Sequence, residues 1–335
     1  MSLGRNPKLL VVELWGLGDL ALASAFLNSA SEMYNVTLLA KPMAEHLRDH
    51  LWPKVEVLAF NAPWTSFEQK YRLSRWRGKA IYALLRRIRN QEFDVAVSVR
   101  QDPRDHLLMA LARTKRRLGF SRWGSRLLLT EAIPCGTGLT HRYLLWGKLA
   151  KALGITLRTQ PKVSRLNKDG PVVIHTGAGH PIRVWPLERY ANLVRKLRSS
   201  GYSVQVICDA DQLGFWGREG EKATVPRYVG ELLDLIDRAA VLIGNDSGPG
   251  HLAALGGIPT FTIFGPQLPA LFAPVHPAAE WVEGAPCPHK PCFDSCHFPA
   301  PYCLLDLDEE SVWKNLQRFV ARRVANPELI EPRLV

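Results

Sequence analysis

Residues 241–266, VLIGNDSGPGHLAALGGIPTFTIFGP, constrain this chain most. An apolar run ends abruptly in a polar, glycine-rich turn, and a small-residue segment then leads into a second apolar run. That order reads as strand, turn, helix, strand. It gathers polar groups where a parallel strand ends, the edge at which open α/β sheets take ligands. The turn Gly244–His251 offers backbone N–H groups at a helix N-terminus, Ser247 adds a hydroxyl, and Gly248 and Gly250 permit close approach. Such a turn suits phosphate.

The rest of the chain repeats this alternation. Strand-like runs at Leu9–Leu14, Val36–Ala40, Val55–Phe60, Phe93–Val99 and Lys115–Phe120 are separated by helix-like segments. A second series follows at Val172–His175, Val204–Cys208, Val241–Gly244 and Thr260–Phe264. Both series predict parallel sheets. Pro186 in a first turn, the apolar face Leu187, Tyr190, Ala191, Val194 and Leu197, and Gly201 as the stop predict a helix over Pro186–Ser200. The polar segment Ile155–Gly170 separates the series, which predicts Rossmann-like units over 1–162 and 163–335, with the last helix packing back on the first unit. A chain of 335 residues is comfortable for two such units.

Charge is uneven along the chain. The formal net charge is +12, and residues 70–126 alone hold 16 Lys/Arg against 4 Asp/Glu. Elsewhere the two signs cancel. Within that stretch Trp76, Ala80, Ile81, Leu84, Leu85 and Ile88 recur at helical spacing, while Arg75, Lys79, Arg86, Arg87 and Arg89 crowd the other positions. A basic amphipathic helix is often a solvated face; it also suits an anionic membrane surface or an anionic glycolipid. No apolar run approaches the roughly 20 residues of a membrane-spanning helix, so the expected place is the cytoplasm, peripheral at the inner membrane.

Three segments in order resemble glycosyltransferase family 9, whose best-known members are ADP-heptose:lipopolysaccharide heptosyltransferases: VVELWGLGDLALASAFL, VVIHTGAGHPIRVWPLERYANLVRKL and the 241–266 unit. The resemblance implies a GT-B fold, two Rossmann-like doubly wound α/β domains facing across a cleft. It implies an inverting transfer, independent of metal, of heptose from ADP-heptose to a lipopolysaccharide core or similar glycolipid. Asp19, after Gly16-Leu17-Gly18, maps onto the family's catalytic aspartate; an aspartate after a glycine turn also caps helices. The donor would sit on the second unit, with Gly177, Ala178, Gly179, Arg183, Asn245, Asp246, Ser247, Gly248 and His251 near the diphosphate and Asp209 or Asp211 on the ribose. Gly18, Arg75, Arg100, Arg104 and Arg122 are the acceptor-side candidates. Arg183 stands where the family usually has Lys, and Ala25 where Pro is usual.

Cys287, Cys292, Cys296 and Cys303, spaced C-x4-C-x3-C-x6-C with His289 and His297 between them, leave a structural zinc open as an alternative to reduced thiols. A monomer with no nucleic-acid partner is expected. The competing readings are a nucleotide-sugar epimerase or hydrolase of the same fold, which leaves the basic stretch incidental, and a basic nucleic-acid-binding protein, which leaves both glycine-rich turns without a purpose.

Overall fold

The structure is a computed structural model that describes residues 6–66, 72, 76–136, 138–158, 167, 169–293 and 295–325. The chain divides into two compact units, Met1–Gln160 and Pro161–Val335. Arg75 lies outside the described residues.

In the first unit, β1 (Lys8–Val12), β2 (Asn35–Ala40), β3 (Glu56–Ala59), β4 (Val95–Ser98), β5 (Arg116–Gly119) and β6 (Glu131–Ala132) form one sheet in the order β3-β2-β1-β4-β5-β6. Every pairing is parallel. The helices are α1 (Leu17–Ala30), α2 (Met43–Leu51), α3 (Gly78–Gln91), α4 (Pro103–Leu111) and α5 (Arg142–Ala152). The order in which strands are added reverses between β1 and β4, so the crevice at their carboxyl ends is the unit's natural ligand position. On one face of the sheet Leu10, Val12 and Ala96 pack with Leu84 and Ile88 of α3 and Leu108 and Met109 of α4. The basic helix is therefore half core element: Leu84 and Ile88 are buried, while Lys79, Arg86 and Arg87 are exposed.

In the second unit, β7 (Val172–His175), β8 (Val204–Ile207), β9 (Val241–Asn245), β10 (Thr260–Phe264) and β11 (Ala279–Glu283) run parallel in the order β11-β10-β9-β7-β8. Its helices are α6 (Leu187–Ser199), α7 (Leu213–Arg218), α8 (Val229–Asp237), α9 (Gly248–Gly256), α10 (Pro269–Phe272), α11 (Tyr302–Leu305) and α12 (Glu309–Val320). Here the reversal falls between β7 and β9, which end in the two glycine-rich turns. The apolar face of the last described α-helix, α12, joins the second unit's core: Val312, Leu316, Phe319 and Val320 are fully buried there, with the Phe319 ring 5.5 Å from Phe261 of β10. Among the described residues no helix is long and apolar enough to cross a membrane.

Candidate functional site

At the carboxyl edge of the first sheet, β1 runs into Glu13-Leu14-Trp15-Gly16, and α1 begins at Leu17. Gly16 occupies the cap position, so Asp19 is not the cap: it sits in the first turn of α1, where a carboxylate is favoured by the helix dipole. Gly18 precedes it in the same turn. Arg142, in the first turn of α5, places its Nε 3.3 Å from Asp19 Oδ1, with both side chains about one-fifth exposed. The carboxylate is thus oriented yet reachable from solvent.

Beside it lies a group that the sequence reading missed. Glu13 is fully buried; its Oε1 accepts a hydrogen bond from the Trp15 backbone N–H at 3.2 Å, and its Oε2 has no hydrogen-bond partner among the described residues. Burial, reinforced by the Asp19 charge, pushes its carboxyl up to about 8 against the pull of Arg142 and Arg100. Lys41, just beyond β2, is lowered by burial and by Arg100. In sequence, Glu13 reads as one polar residue interrupting an apolar strand end, which is the only signal it gives.

Glu13 yields a prediction with a definite sign. Its folded value lies above the ordinary 4.5, so the unfolded chain gives up this proton first. The associated stability is intact below 4.5 and is lost as pH rises from there to about 8. Glu13→Gln cannot ionise, so it should gain on the parent across that window and by a constant amount above it. Urea unfolding at about pH 5 and about pH 9 measures the gap; one that does not widen with pH overturns the assignment.

The other acceptor-side candidates are more tightly held. Arg100 is 4% exposed, its Nη2 lies 2.9 Å from Asp102 Oδ2, its Nη1 lies 3.2 Å from Asp105 Oδ2, and its guanidinium stands 4.7 Å from the Trp15 ring. Arg104 grips both oxygens of Asp102, at 2.9 and 2.8 Å. Much of their charge is met within the unit before any ligand arrives. Arg122 is exposed beyond β5, stacked 4.0 Å over Trp123.

In the second unit the two glycine-rich turns are brought together by Asn245. Its Oδ1 accepts from the Trp185 backbone N–H at 3.0 Å and from the Tyr190 hydroxyl at 2.9 Å. Its Nδ2 donates to the carbonyls of Thr176 at 2.9 Å and Gly177 at 3.3 Å. Asn245, expected at the donor, thereby clamps β7's turn to β9's. The next residue, Asp246, lies 3.4 Å from Arg183 Nη1, and the Arg183 side chain remains one-quarter exposed. Ser247 stands at the cap position of α9 with Gly248 and Pro249 opening the helix, and His251 is buried one turn in.

Asp209 accepts from the Ala178 backbone N–H at 3.1 Å and shares a capping box with Gln212. A side chain at Gly177 would meet that carboxylate at 2.4 Å, which is why glycine stands there; at Gly179 there is open space. Burial raises the Asp209 carboxyl, and Asp211 adds to the effect. Asp211 itself is exposed. His175, at the end of β7, was not predicted; burial lowers it to about 4, and its Nδ1 has no hydrogen-bond partner among the described residues.

The four clustered cysteines line one cavity of about 230 Å³ together with Lys290. All are free thiols. Burial and the neighbouring thiols raise Cys292, and burial first of all raises Cys303. Among the described residues no group of three or more His, Cys, Asp or Glu converges in a metal-holding arrangement, so the zinc alternative finds no preformed sphere here.

Comparison with known proteins agrees with this architecture. Residues 145–300 match the family model for glycosyltransferase family 9 (heptosyltransferase). Lipopolysaccharide heptosyltransferase 3 of Escherichia coli is 33% identical over 108 residues, which span 29% of this chain and 31% of that protein. In fold, a glycosyltransferase of the same family from Veillonella parvula superposes with a TM-score of 0.72 at 18% identity, covering 96% of this chain and 99% of its own. The E. coli ADP-heptose lipopolysaccharide heptosyltransferase II gives 0.67 at 18%, covering 94% and 99%. An E. coli heptosyltransferase solved with ADP gives 0.71 at 14%, covering 93% and 99%. The fold is thus GT-B, built of two Rossmann-like units. By sequence over residues 145–300 this chain matches glycosyltransferase family 9, and over nearly its whole length it shares the fold of heptosyltransferases and of a glycosyltransferase of that family.

Proposed function

We propose that the chain is an inverting glycosyltransferase that moves heptose from ADP-heptose to a lipopolysaccharide core or a similar anionic glycolipid. The observation that carries this reading is the second unit's turn pair. Arg183, Asp246 and the start of α9 stand together at the β7/β9 reversal, inside the segment that matches the family. A similar fold is known with ADP, which supports an adenine nucleotide as the leaving group.

In this scheme Asp19 takes the proton from an acceptor hydroxyl, and the oxygen forms a bond to the anomeric carbon. The bond from that carbon to the diphosphate oxygen breaks, and the electron pair leaves with the nucleoside diphosphate. A single in-line displacement inverts the centre. Arg183 and the N–H groups opening α9 meet the charge that develops on the leaving diphosphate. Asp246 orients the guanidinium and can accept from sugar hydroxyls. Asp209 lies beyond β8, where a carboxylate takes ribose hydroxyls. The basic first unit attracts an anionic acceptor and a membrane surface.

The test is transfer itself. Calorimetry with ADP-, UDP- and GDP-sugars should single out the ADP-sugar, and ADP-heptose with a heptose-deficient lipopolysaccharide core should yield an acceptor heavier by one heptose in mass spectra. Free sugar released without acceptor would favour a hydrolase, and binding of oligonucleotides without nucleotide-sugar affinity would sink the reading. Arg183→Ala should weaken ADP binding by about 1.5–3 kcal/mol, the scale of a charged hydrogen bond, with Arg183→Lys recovering part. Unchanged ADP affinity in the alanine variant places Arg183 outside the site.

A further inference from the structure

The connection after β5 carries a surface that the catalytic reading does not use. Trp123 is 78% exposed and Leu127 is 91% exposed, the extreme values among the exposed large apolar side chains described. On the adjoining α4, Leu107 and Leu111 are a turn apart and also exposed. The loop is a braced structure. Trp123 and Gly124 take φ values of 49° and 77°, and the Ser125 N–H donates to the Arg122 carbonyl at 3.0 Å, which makes a tight turn with both central residues left-handed. The Ser125 hydroxyl accepts from the Arg122 N–H at 3.0 Å and lies 2.9 Å from His106 Nδ1 of α4. A left-handed tryptophan is strained, and among the described residues its largely exposed ring has the Arg122 guanidinium stacked on it at 4.0 Å.

Charge narrows the occupant. From His106 to Thr130 the chain holds six Lys/Arg and no Asp or Glu, and Arg122 and Arg126 flank the exposed apolar groups. Tryptophan, leucine and arginine at one protruding turn match the interface of a bilayer, where an aromatic ring sits at headgroup depth and cations meet anionic headgroups. The position fits as well. In a parallel sheet the carboxyl ends share one edge, so this loop leaves β5 on the edge that carries Asp19, with β4 between them.

We propose that the β5–β6 loop, through Trp123 and Leu127, seats the first unit on an anionic lipid bilayer. This rests on the reading of the acceptor as a membrane glycolipid, and it moves the anchor from the basic helix α3 to this loop. The headgroups then lie beside the edge where the acceptor hydroxyl must be deprotonated.

Co-sedimentation with phosphatidylcholine vesicles, with and without phosphatidylglycerol, tests it on the full chain. The parent should bind the anionic vesicles and lose binding as salt is added. Because both side chains are exposed, the double variant Trp123→Ser, Leu127→Ser should fold normally, bind those vesicles about tenfold or more weakly, and keep the parent's ADP affinity. The variant Arg86→Gln, Arg87→Gln on α3 should retain more binding than the loop variant. The proposal is overturned if the loop variant binds as the parent does, if α3 alone governs binding, or if the loop substitutions instead disperse an oligomer of this chain in sedimentation velocity. Failure of ADP-heptose transfer by the parent would remove the proposed function, while the vesicle result would still decide this surface.

Discussion

Asp19→Asn should lower turnover by about 10²–10⁴ while leaving ADP affinity nearly unchanged. The substitution removes the basic oxygen pair but keeps the size and shape of the side chain in the first turn of α1. Because Gly16 rather than Asp19 holds the cap position, no capping bond is lost. What is lost is the partly exposed ion pair with Arg142, a contribution of about 1 kcal/mol or less. Turnover and stability should therefore separate. Steady-state transfer with saturating donor, alongside urea unfolding, distinguishes a base from a structural carboxylate: near-parental turnover, or a loss matched by a large fall in stability, would end the assignment. Arg142→Gln gives the companion measurement. An orienting role predicts a smaller fall in turnover, with the donor step again untouched.

The second large effect concerns stability and the donor turn together. Asn245→Leu removes a buried side chain that accepts from the Trp185 N–H and the Tyr190 hydroxyl and donates to the carbonyls of Thr176 and Gly177. All four partners belong to one crossover region, and Asn245 itself is only 2% exposed, so water cannot readily replace it. Leaving several buried groups unsatisfied should cost about 3–5 kcal/mol, less than a simple sum because the turn will relax. The relaxation is itself informative: the β7 turn that carries Arg183 should lose its position, and ADP affinity should fall with it. Asn245→Asp keeps the acceptor oxygen but loses both N–H donors, so it should not rescue the variant. A leucine variant within about 1 kcal/mol of the parent would show that the clamp is dispensable.

Several features of the site were legible in the sequence for a physical reason. Hydrophobic period and turn chemistry are local, so the glycine-rich turns after β7 and β9 and the Gly16-Leu17-Gly18-Asp19 turn after β1 could be placed at strand ends without knowing what lies beside them. The edge strands were less legible. β6 has two residues, and β11 after its buried first residue alternates half-buried and exposed positions with acidic residues among them, so neither presents the continuous apolar run of a central strand. The Cys-rich and basic stretches were equally visible, but helical spacing drew the amphipathic reading to residues 75–89 and could not register that a tryptophan beyond β5 stands exposed.

What the sequence by itself determined was a chain of two parallel α/β units, the ends of their strands, and one aspartate and one arginine at those ends with chemistry suited to glycosyl transfer. Tertiary structure decided the rest. It set the strand order that puts the crevices at β1/β4 and β7/β9, and it brought Arg142 from a distant helix onto Asp19. It left Glu13 buried beside them with its carboxyl raised to about 8, and it made Asn245 a clamp between two turns. Periodicity reports which face of an element is buried. Which residue a buried polar group meets depends on contacts between segments far apart in the chain, and no local pattern encodes those.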